Sequence, residues 1–488
     1  MTSLVATESA NHFVTDPLNA HGLQVVVGLG QSGLSVAQYL IKKGYQVAVT
    51  DMQGAPALAG QLPKLVTIRQ FGALDGELLQ QAARIIISPG ISLETPAIAA
   101  ALQAGIPVVS DIQLFCDACT VPIVAITGSN AKSTVTTLVG QMAADAGINV
   151  GVGGNIGIPA LNLLANADMQ LAVLELSSFQ LETVTNLGAK VATILNMSPD
   201  HLDRHGDMLH YQQAKHRVFQ GAKSVVINRD DTLTHPEAAY LLDSSHCIST
   251  GIDAPDGGQY GLIVDADGQT YIARGNERLL SADQLPIKGR HNLLNAQSAL
   301  ALGELAGLPL PSMLSTLQQF TGLEHRCQYI RTIAGVDYFN DSKGTNIGST
   351  MAAIEGLGAV YEPKGGKLLL ILGGQGKGQQ FGELAPYINR YVSHVLCIGA
   401  DGQQIEQHLR AAKLSHEVTL QQCQSLDKAF SIISQLTDKE ANAKGHQTDI
   451  QVVLLSPACA SFDQFNGYEA RGQYFSQLVA QLEATTVR

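Results

Sequence analysis

The chain alternates short apolar segments with longer amphipathic ones, and this alternation constrains the fold more than any other feature. The apolar runs at 23–27, 123–126 and 367–372 have the length of buried strands, and each leads into a glycine-containing turn and a helix-like stretch. Strands that alternate with helices are typical of parallel sheets covered by helices. The sequence therefore predicts an α/β protein.

The 488 residues are too many for one ordinary domain, and the alternation falls into three blocks. The predicted strands are 23–27, 46–50, 84–87 and 108–110 in the first block, 123–126, 172–176, 192–196 and 224–228 in the second, and 336–339, 367–372, 395–398 and 452–455 in the third. Between about 250 and 285 the pattern changes, and GLIVDADGQTYIA predicts a hairpin with an Asp-Gly turn. The stretch GRHNLLNAQSALALGEL then predicts a helix that closes the second block.

Composition excludes several classes of protein. A net charge of −12 without a run of Lys or Arg argues against a nucleic-acid surface. Seven cysteines, with no second pair at zinc spacing beside Cys116 and Cys119, indicate reduced thiols and a cytoplasmic protein. The N-terminal MTSLVATESANHF lacks the features of a signal peptide, and no apolar run is long enough to span a bilayer.

The first glycine motif is VVVGLGQSGLS, in which Gly28, Gly30 and Gly33 separate a predicted strand from a predicted helix. Asp51 ends the next strand, near the distance expected for a ribose-binding acid. This turn suits an anionic diphosphate at a helix N-terminus. A dinucleotide, a nucleotide-sugar diphosphate and a tight turn without a ligand all fit this pattern.

The second glycine motif, VAITGSNAKSTVTTL, predicts a triphosphate-binding loop although it departs from G-x-x-x-x-G-K-[ST]. Ile126 and Ala131 stand at the two glycine positions of that pattern. Gly128, Asn130, Lys132 and a hydroxyl for magnesium are nevertheless present before a helix. Alanine at a position that requires positive φ costs about 1 kcal/mol, too little to exclude the site.

Acidic and histidine side chains follow the next strands. Glu175 ends the apolar run of LAVLELSSFQLE, and NMSPDHLDRH carries two acids and two histidines. Beside a phosphate loop these residues indicate a metal and phosphate site, although a polar turn is the simpler alternative. Lys215 lies in YQQAKHRVF, a predicted helix, where spacing alone is equally consistent with a solvated lysine.

These stretches, taken in order, resemble the motifs of the Mur ligase family. TGSNAKST resembles its ATP loop, and ELSSFQLE, NMSPDHLDRH, YQQAKHRVF, GRHNLLNA and LEHR match its successive motifs. VVVGLGQSGLS, NDSKGTN, LGGQGKGQQF and LSPACASFDQFNGYEARG resemble the members that add D-glutamate to UDP-N-acetylmuramoyl-L-alanine. The D-N-P-R signature of the members that add a diamino acid is absent. The resemblance covers nearly the whole chain.

The resemblance implies three domains: a Rossmann-like domain for the UDP substrate at 1–110, a P-loop-type ATPase domain with a mostly parallel sheet at 111–322, and a Rossmann-like D-glutamate domain at 323–488. It also implies ATP, two Mg2+ sites and a CO2-derived carbamate on Lys215. We expect a monomer with small-molecule substrates, without nucleic-acid partners or membrane insertion.

The resemblance also implies residue roles. The implied ATP contacts are Gly128, Ser129, Asn130, Ala131, Lys132, Ser133, Thr134, Asn292, Asn295, Arg326 and Asp341. The implied metal ligands are Ser133, Glu175, His201 and Lys215, and the implied catalytic residues are Lys132, Glu175, His201, Lys215 and Arg326. The implied substrate contacts are Gln31, Ser32, Asp51, Ser88 and Gly90 for UDP, Asn155 nearer the reaction, and Thr345, Lys377, Ser461, Phe462 and Tyr468 for D-glutamate.

Four positions depart from the family pattern. Ala131 replaces a glycine, Gln53 an arginine, Phe462 a leucine and Tyr468 a phenylalanine. Extra length lies in the N-terminal segment and at 250–285. Three other functions remain as alternatives: a nicotinamide-dependent dehydrogenase built on Gly28–Gly33, a non-catalytic nucleotide switch, and a related amide ligase with another amino acid, such as a folylpolyglutamate synthetase. The dehydrogenase leaves the ATP loop, Glu175 and the His201 cluster without a role, and the nucleotide switch leaves the loops of Lys377 and Ser461 unexplained.

Overall fold

The structure is a computed structural model that describes residues 22–287, 289–437 and 449–486. The N-terminal segment, for which the sequence predicts no signal peptide, lies outside the described residues. The described chain forms three α/β domains whose sheets are mostly parallel, as the alternation predicts. None of the described helices is both long enough and apolar enough to cross a membrane.

The N-terminal domain is a five-stranded parallel sheet in the order β3-β2-β1-β4-β5. Its strands are β1 (Gln24–Val27), β2 (Val47–Asp51), β3 (Ile68–Phe71), β4 (Arg84–Ile87) and β5 (Val108–Ser110), and its helices are α1 (Gln31–Lys42), α2 (Gly76–Gln80), α3 (Pro96–Gln103) and α4 (Asp111–Ala118). The sequence analysis missed β3, because this edge strand is largely exposed and has the mixed sequence IRQF. The buried β1 and β4 are the apolar strands that it found.

The second domain is built on a six-stranded parallel sheet in the order β11-β10-β9-β6-β8-β7. Its strands are β6 (Ile123–Thr127), β7 (Val150–Gly154), β8 (Leu171–Glu175), β9 (Val191–Ile194), β10 (Ser224–Asn228) and β11 (Cys247–Thr250), and its helices are α5 (Lys132–Asp145), α6 (Ala160–Leu163), α7 (Ser178–Leu181), α8 (Leu202–His205), α9 (Met208–His216), α10 (Arg290–Ala306) and α11 (Leu310–Gln319). The predicted helix at 289–305 corresponds to α10. The sequence analysis missed β7 and β11.

The predicted hairpin near 260–273 is confirmed. Strands β12 (Tyr260–Val264) and β13 (Thr270–Arg274) pair antiparallel, and β14 (Glu277–Ser281) adds a third strand to this small sheet. Gly268 in the turn has φ +82°, which explains the glycine. The side chain of Arg274 pairs with Glu304 on α10, so the small sheet is tied to the helix that closes the domain.

The C-terminal domain contains a six-stranded sheet in the order β15-β16-β20-β17-β18-β19, in which the β15–β16 pair is antiparallel and the other pairs are parallel. Its strands are β15 (Gln328–Ile333), β16 (Val336–Asn340), β17 (Lys367–Gly373), β18 (Val392–Ile398), β19 (Thr419–Gln424) and β20 (Ile450–Leu455), and its helices are α12 (Ile347–Tyr361), α13 (Ala385–Tyr391), α14 (Gly402–Ala411), α15 (Leu426–Thr437) and α16 (Tyr468–Thr486). The two strands missed by the sequence analysis, β15 and β19, are the polar edges.

The compact units of the structure do not coincide with the domain boundaries predicted along the sequence. Residues 157–167 and 179–186, which lie between strands of the second domain, belong to the same compact unit as residues 22–120. Helix α6 packs against α1 and α4. The side-chain oxygen of Gln113 on α4 accepts hydrogen bonds from the backbone N–H groups of Thr185 (2.9 Å) and Asn186 (3.4 Å). The six-stranded sheet of the second domain and the C-terminal sheet both belong to the other unit.

Candidate active site

The first glycine loop connects β1 to α1 at the carboxyl edge of the N-terminal sheet. Gly28 has φ +89°, and a Cβ on Gly33 would lie 1.9 Å from the carbonyl oxygen of Gly28. Asp51 accepts a hydrogen bond from the backbone N–H of Leu29 (2.6 Å), and Ser88 donates one to the carbonyl oxygen of Gly28 (2.8 Å). The loop therefore has a shape that requires these two glycines and is fastened from two neighbouring strands.

The residues predicted to hold UDP surround this loop. Gln31 and Ser32 open α1, Asp51 ends β2, and the turn Ser88–Gly90 follows β4. In open parallel sheets, ligands bind beyond the carboxyl ends of strands, and the order β3-β2-β1-β4-β5 places all of these residues at that edge. Their contacts with UDP stay a prediction.

The second glycine loop connects β6 to α5 and has the backbone of a phosphate cradle. Ala131 has φ +64° and ψ 0°, so this alanine adopts the left-handed conformation that a glycine would take without strain. The backbone N–H groups of Ser129 and Asn130 donate to the backbone and side-chain oxygens of Asn196, at 2.9 and 2.8 Å. The loop is thereby fixed against the end of β9.

The Lys132 ammonium lies inside this cradle. Its Nζ donates to the carbonyl oxygens of Gly128 (2.7 Å) and Ser129 (2.9 Å). Burial lowers the pKa of Lys132, while the negative charges of Glu175 and Asp200 act in the opposite direction. The structure therefore brings Lys132, Glu175 and Asp200 into one electrostatic environment, although they come from three different strand ends.

Glu175 is buried at the end of β8, and its two oxygens differ. Oε1 accepts a hydrogen bond from the Asn155 side chain at 2.7 Å. Oε2 is buried and has no hydrogen-bond partner among the described residues. A buried carboxylate oxygen without a donor is costly unless a cation neutralises it. This oxygen fits the predicted role of Glu175 as a Mg2+ ligand, and Asn155 orients the carboxylate.

His201 begins the turn before α8 in a left-handed conformation, φ +54°. Its backbone N–H donates to Asp200 (3.0 Å), and its Nε2 lies 3.7 Å from the other oxygen of that carboxylate. Burial lowers the pKa of His201. This favours the neutral imidazole, the form that can bind a metal.

The strand-end acids and histidines do not gather into one cluster. His205 instead contacts the Ser178 hydroxyl at 3.0 Å, and burial lowers its pKa to about 4. Among the residues that the structure describes, no three His, Cys, Asp or Glu side chains converge as metal ligands. A Mg2+ ion at Glu175 or His201 would need other oxygen ligands, such as the Ser133 hydroxyl or phosphate oxygens, as is usual for Mg2+.

Lys215 on α9 is not a solvated lysine. Its side chain is 1% exposed, and its Nζ donates to the carbonyl oxygen of Gly128 at 2.9 Å. The ammonium also lies 4.7 Å from the centre of the Tyr211 ring. Burial, together with the positive charge of Lys132, places the pKa of Lys215 well below its ordinary value. The solvated alternative is therefore wrong, and Lys215 belongs to the phosphate loop.

A cavity of about 360 Å3 adjoins the phosphate loop. Most of the predicted ATP contacts line it: Asn130, Ala131, Thr134, Asn292, Asn295, Arg326 and Asp341. Asn295 donates to the side chain of Asn292 at 3.0 Å, so the two amides on α10 form one unit. His291 and Lys343 also line the cavity, and the sequence analysis did not select either of them.

Arg326 and Asp341 join the cavity to the C-terminal domain. The Arg326 guanidinium donates to the Ser133 hydroxyl at 2.6 Å, and burial lowers its pKa. Asp341 accepts hydrogen bonds from the Cys327 backbone (3.0 Å) and the Ser456 hydroxyl (2.6 Å). Burial nevertheless raises the pKa of Asp341 to about 7.

The residues predicted to hold D-glutamate come from three loops of the C-terminal domain. Thr345 precedes α12, Lys377 follows β17 with φ +51°, and Tyr468 begins α16. Ser461 is buried, whereas Phe462 is 69% exposed. The lowered pKa of His201 has burial as its largest cause, and the positive charge of Lys377 also contributes to it. Binding of D-glutamate by these five residues stays a prediction.

Lys343 is a site residue that the sequence analysis missed, although NDSKGTN contains it. Its Nζ lies 3.9 Å from the centre of the Tyr468 ring. Burial, with the charges of Arg326 and Lys132, lowers the pKa of Lys343 to about 8. The position of Lys343 inside NDSKGTN, a motif already assigned to the site, was the sequence signal that could have identified it.

Family models match the three domains in order. The Mur ligase MurD-like N-terminal domain matches residues 23–110, the Mur ligase middle domain matches 126–303, and the Mur ligase glutamate ligase domain matches 325–459. Together they cover most of the chain. The chain belongs to the Mur ligase family.

Curated relatives of this Mur ligase match it from end to end. UDP-N-acetylmuramoylalanine--D-glutamate ligase of Psychrobacter arcticus is 75% identical over 486 residues, which cover 100% of this chain and 99% of that protein. The proteins of the same name from Acinetobacter baylyi and Pseudomonas aeruginosa are 54% and 46% identical, and each match covers 94% of this chain and 98% of the relative.

Solved structures of other Mur-type ligases share the fold of this Mur ligase. MurC from Thermotoga maritima has a TM-score of 0.57 at 18% identity, covering 94% of this chain and 100% of that one. MurF from Acinetobacter baumannii has a TM-score of 0.57 at 17% identity, covering 96% and 93%. At such identities the likeness concerns the fold alone.

Proposed function

We propose that this Mur ligase joins D-glutamate to UDP-N-acetylmuramoyl-L-alanine and hydrolyses ATP to ADP and phosphate, a step of peptidoglycan precursor synthesis. The observation that carries the proposal is the end-to-end match to relatives named for this reaction, at up to 75% identity. A phosphate loop that accepts hydrogen bonds from Lys132 and from the buried Lys215 supports the chemistry, as does the carboxylate oxygen of Glu175 that has no partner among the described residues.

Each domain is assigned one ligand. Residues 1–110 bind the UDP end of the nucleotide substrate, 111–322 bind ATP, and 323–488 bind D-glutamate. The glycine loop after β1 suits a diphosphate, because its backbone shape and helix N-terminus favour an anion. The cavity of about 360 Å3 next to the phosphate loop suits the nucleoside of ATP. The proposed enzyme works as a monomer.

The residues around the phosphate loop neutralise charge. The reaction brings a carboxylate to a triphosphate, and both are anions. Lys132 and Arg326 supply partly buried positive charge at the loop, where electrostatic stabilisation is stronger than in water. Mg2+ held by Ser133 and Glu175, with a second ion held by His201 and modified Lys215, would supply further stabilisation of charge on the transferred phosphoryl group.

Lys215 carries a carbamate in this proposal. Formation of a carbamate requires a neutral amine, and the buried Lys215 has a pKa well below that of an exposed lysine. An ammonium cannot bind Mg2+, whereas a carbamate offers an anionic oxygen. The contact of Nζ with the Gly128 carbonyl supports this assignment, because a carbamate on that nitrogen would lie next to the phosphate loop.

The reaction then has two steps. A carboxylate oxygen of the L-alanyl group attacks the γ-phosphorus of ATP, the bond from that phosphorus to the bridging oxygen breaks, and ADP leaves. The D-glutamate amine attacks the acyl carbon, inorganic phosphate leaves, and the nitrogen loses a proton as the amide forms. Lys377, Thr345 and Ser461 hold the D-glutamate carboxylates, and the wall formed by Phe462 and Tyr468 covers its methylenes.

The test is phosphate release from ATP with UDP-N-acetylmuramoyl-L-alanine and a panel of D- and L-amino acids. Turnover that requires D-glutamate supports the proposal. Turnover with a different amino acid would make the chain a different amide ligase. Tight NADH binding without ATP turnover would favour the dehydrogenase, and ATP binding without turnover on any substrate would favour a nucleotide switch.

A further inference from the structure

One asparagine of the C-terminal domain reaches into the phosphate-loop region. Asn346 precedes α12, is buried, and its side-chain oxygen accepts a hydrogen bond from the backbone N–H of Ser349 at 2.9 Å. This is the cap of α12. The side-chain NH2 group points the other way and donates to Asn130 (3.2 Å) and to Asp200 (3.1 Å). Both the oxygen and the NH2 group of the Asn346 amide therefore form hydrogen bonds.

The two acceptors are parts of the ATP-binding domain that matter for chemistry. Asn130 belongs to the phosphate loop, and its backbone N–H is held by Asn196 at 2.8 Å. Asp200 accepts from the backbone N–H of His201 at 3.0 Å. One side chain therefore ties the start of α12 to the phosphate loop and to the turn that carries His201.

The start of α12 packs so closely on the phosphate-loop region that residue 348 has little room for a side chain. A Cβ on Gly348 would lie 2.7 Å from the Ser198 hydroxyl oxygen and 3.3 Å from the Asn130 side-chain nitrogen. A larger residue at 348 would therefore require Ser198 or the start of α12 to shift. On the far side, the backbone N–H of Ile347 donates to Gln379, two residues after Lys377, at 3.0 Å. The start of α12 thus lies between the phosphate loop and the Lys377 loop.

We propose that Asn346 is a positioning residue that docks the C-terminal domain on the phosphate loop and aligns the amine of D-glutamate with the acyl phosphate. The role assigned to D-glutamate rests on the proposed function, whereas the docking role does not. Asn346 acts through its hydrogen bonds to Asn130 and Asp200 and does not touch the reacting atoms. Thr345, its neighbour, is a predicted contact of D-glutamate.

Three substitutions separate docking from simple capping. Ser, Asp and Asn are about equally good N-caps. Asn346→Ser and Asn346→Asp should therefore keep α12 capped, whereas Asn346→Ala should not. Serine is too short to form the hydrogen bonds to Asn130 and Asp200. Aspartate places a second carboxylate next to that of Asp200. We expect all three to lose about tenfold or more in kcat with a raised KM for D-glutamate, Asp most, while the Kd for UDP-N-acetylmuramoyl-L-alanine stays unchanged.

The docking itself is measured independently of turnover, in the full chain. Spin labels at the exposed Gln141 and Lys364, introduced as noncanonical amino acids to spare the cysteines, report the distance between the two domains with a non-hydrolysable ATP analogue bound. Asn346→Asp and Gly348→Ala should broaden or lengthen this distance. Gly76→Ala, also in a first helical turn but with open space around its Cβ, should not.

Each outcome decides the proposal. A lower kcat in all three Asn346 variants, together with a changed distance between the spin labels in Asn346→Asp, supports the proposal. Wild-type activity in Asn346→Ser or Asn346→Asp would show that Asn346 acts only as a helix cap, and this would overturn the proposal. A loss of activity with an unchanged distance between the spin labels would also overturn it. If the wild-type chain does not use D-glutamate, the proposed function fails, yet the distance measurement still tests docking.

Discussion

Burial determines the chemistry of single residues around the phosphate loop. Lys132 and Lys215 both direct their Nζ atoms at the Gly128 carbonyl, and burial lowers the pKa of each. The two lysines are nonetheless different. After burial, the largest influences on the pKa of Lys132 are the negative charges of Glu175 and Asp200, whereas the second-largest influence on the pKa of Lys215 is the positive charge of Lys132 itself. Lys215 is therefore the better candidate for a neutral, modifiable amine.

Substitution of Lys215 tests this difference. Lys215→Ala should lose most turnover and keep a cooperative thermal transition, because alanine is well tolerated in a helix. Acetate or formate at high concentration should restore part of the activity by supplying an anionic oxygen, and a neutral molecule of similar size should not. Lys215→Arg is the matched control and should stay inactive, because a guanidinium remains cationic. An active Lys215→Arg enzyme would show that the position needs positive charge.

The Lys132→Ala variant should fold like the wild-type protein and release almost no phosphate from ATP. Lys132 is the cation inside the phosphate cradle, with hydrogen bonds to two carbonyl oxygens of the loop itself. Circular dichroism and phosphate release measured on the same preparation check the prediction. Retained turnover would contradict the assignment of the loop.

Ala131 gives a prediction about strain. Its φ of +64° is the left-handed conformation that an alanine adopts at a cost of about 1 kcal/mol relative to glycine. Ala131→Gly should remove this strain, though a more flexible unfolded chain offsets part of the gain. We expect a small change in melting temperature and a KM for ATP within about twofold of wild type. A large loss of activity would mean that the methyl group packs on something essential.

At the scale of elements, strand ends followed by tight turns carry the site. The turn after β1 needs Gly33 because a side chain there would collide with the Gly28 carbonyl, whereas the space around Gly30 is open. The motif G-x-G-x-x-G thus contains glycines with different tasks. One of them shapes the strand-to-helix connection, and another leaves the rim of the loop accessible.

This difference can be measured with two alanine substitutions. Gly33→Ala should lower the melting temperature and raise the KM for the UDP substrate strongly, because the 1.9 Å approach forces the loop apart. Gly30→Ala should leave the melting temperature near that of wild type, since its φ of −84° suits any residue. Equal destabilisation by both substitutions would contradict this division of roles.

The sequence allowed the central strands and their loops to be predicted, because buried parallel strands are continuous apolar runs. The edge strands β3, β15 and β19 lack such a run, and β7 is rich in glycine, so local pattern could not reveal them. Within the site, motifs pointed to Lys132, Glu175 and Lys215. They could not show that Asn346 joins two domains or that Lys343 stacks on Tyr468, because such contacts depend on tertiary packing.

At the scale of the whole molecule, one buried acid couples folding to pH. Burial raises the pKa of Asp341 from 3.8 to about 7, against the opposing influence of Ser456 and Arg326. Between these two values the folded chain holds a proton that the unfolded chain releases. The contribution of the protonated Asp341 to the free energy of unfolding is therefore complete below pH 3.8. It is lost as the pH rises to about 7.

Asp341→Asn should abolish this dependence. The melting temperature of wild type relative to Asp341→Asn should fall as the pH rises from about 4 to about 7 and then become constant. Thermal unfolding followed by fluorescence at a series of pH values measures the difference. A constant difference across this range would mean that Asp341 ionises in the folded protein as it does in the unfolded chain.

The two chain segments that join the N-terminal compact unit from beyond residue 150 affect how the protein is made. Gln113 finds its hydrogen-bond partners at Thr185 and Asn186, and α6 packs on α1 and α4. On the ribosome, the first sheet emerges long before these partners do. The N-terminal unit must therefore wait, incompletely packed, until synthesis has passed residue 186. A fragment cut at Thr120, although it contains the whole first sheet, would leave that unit permanently in this unfinished state.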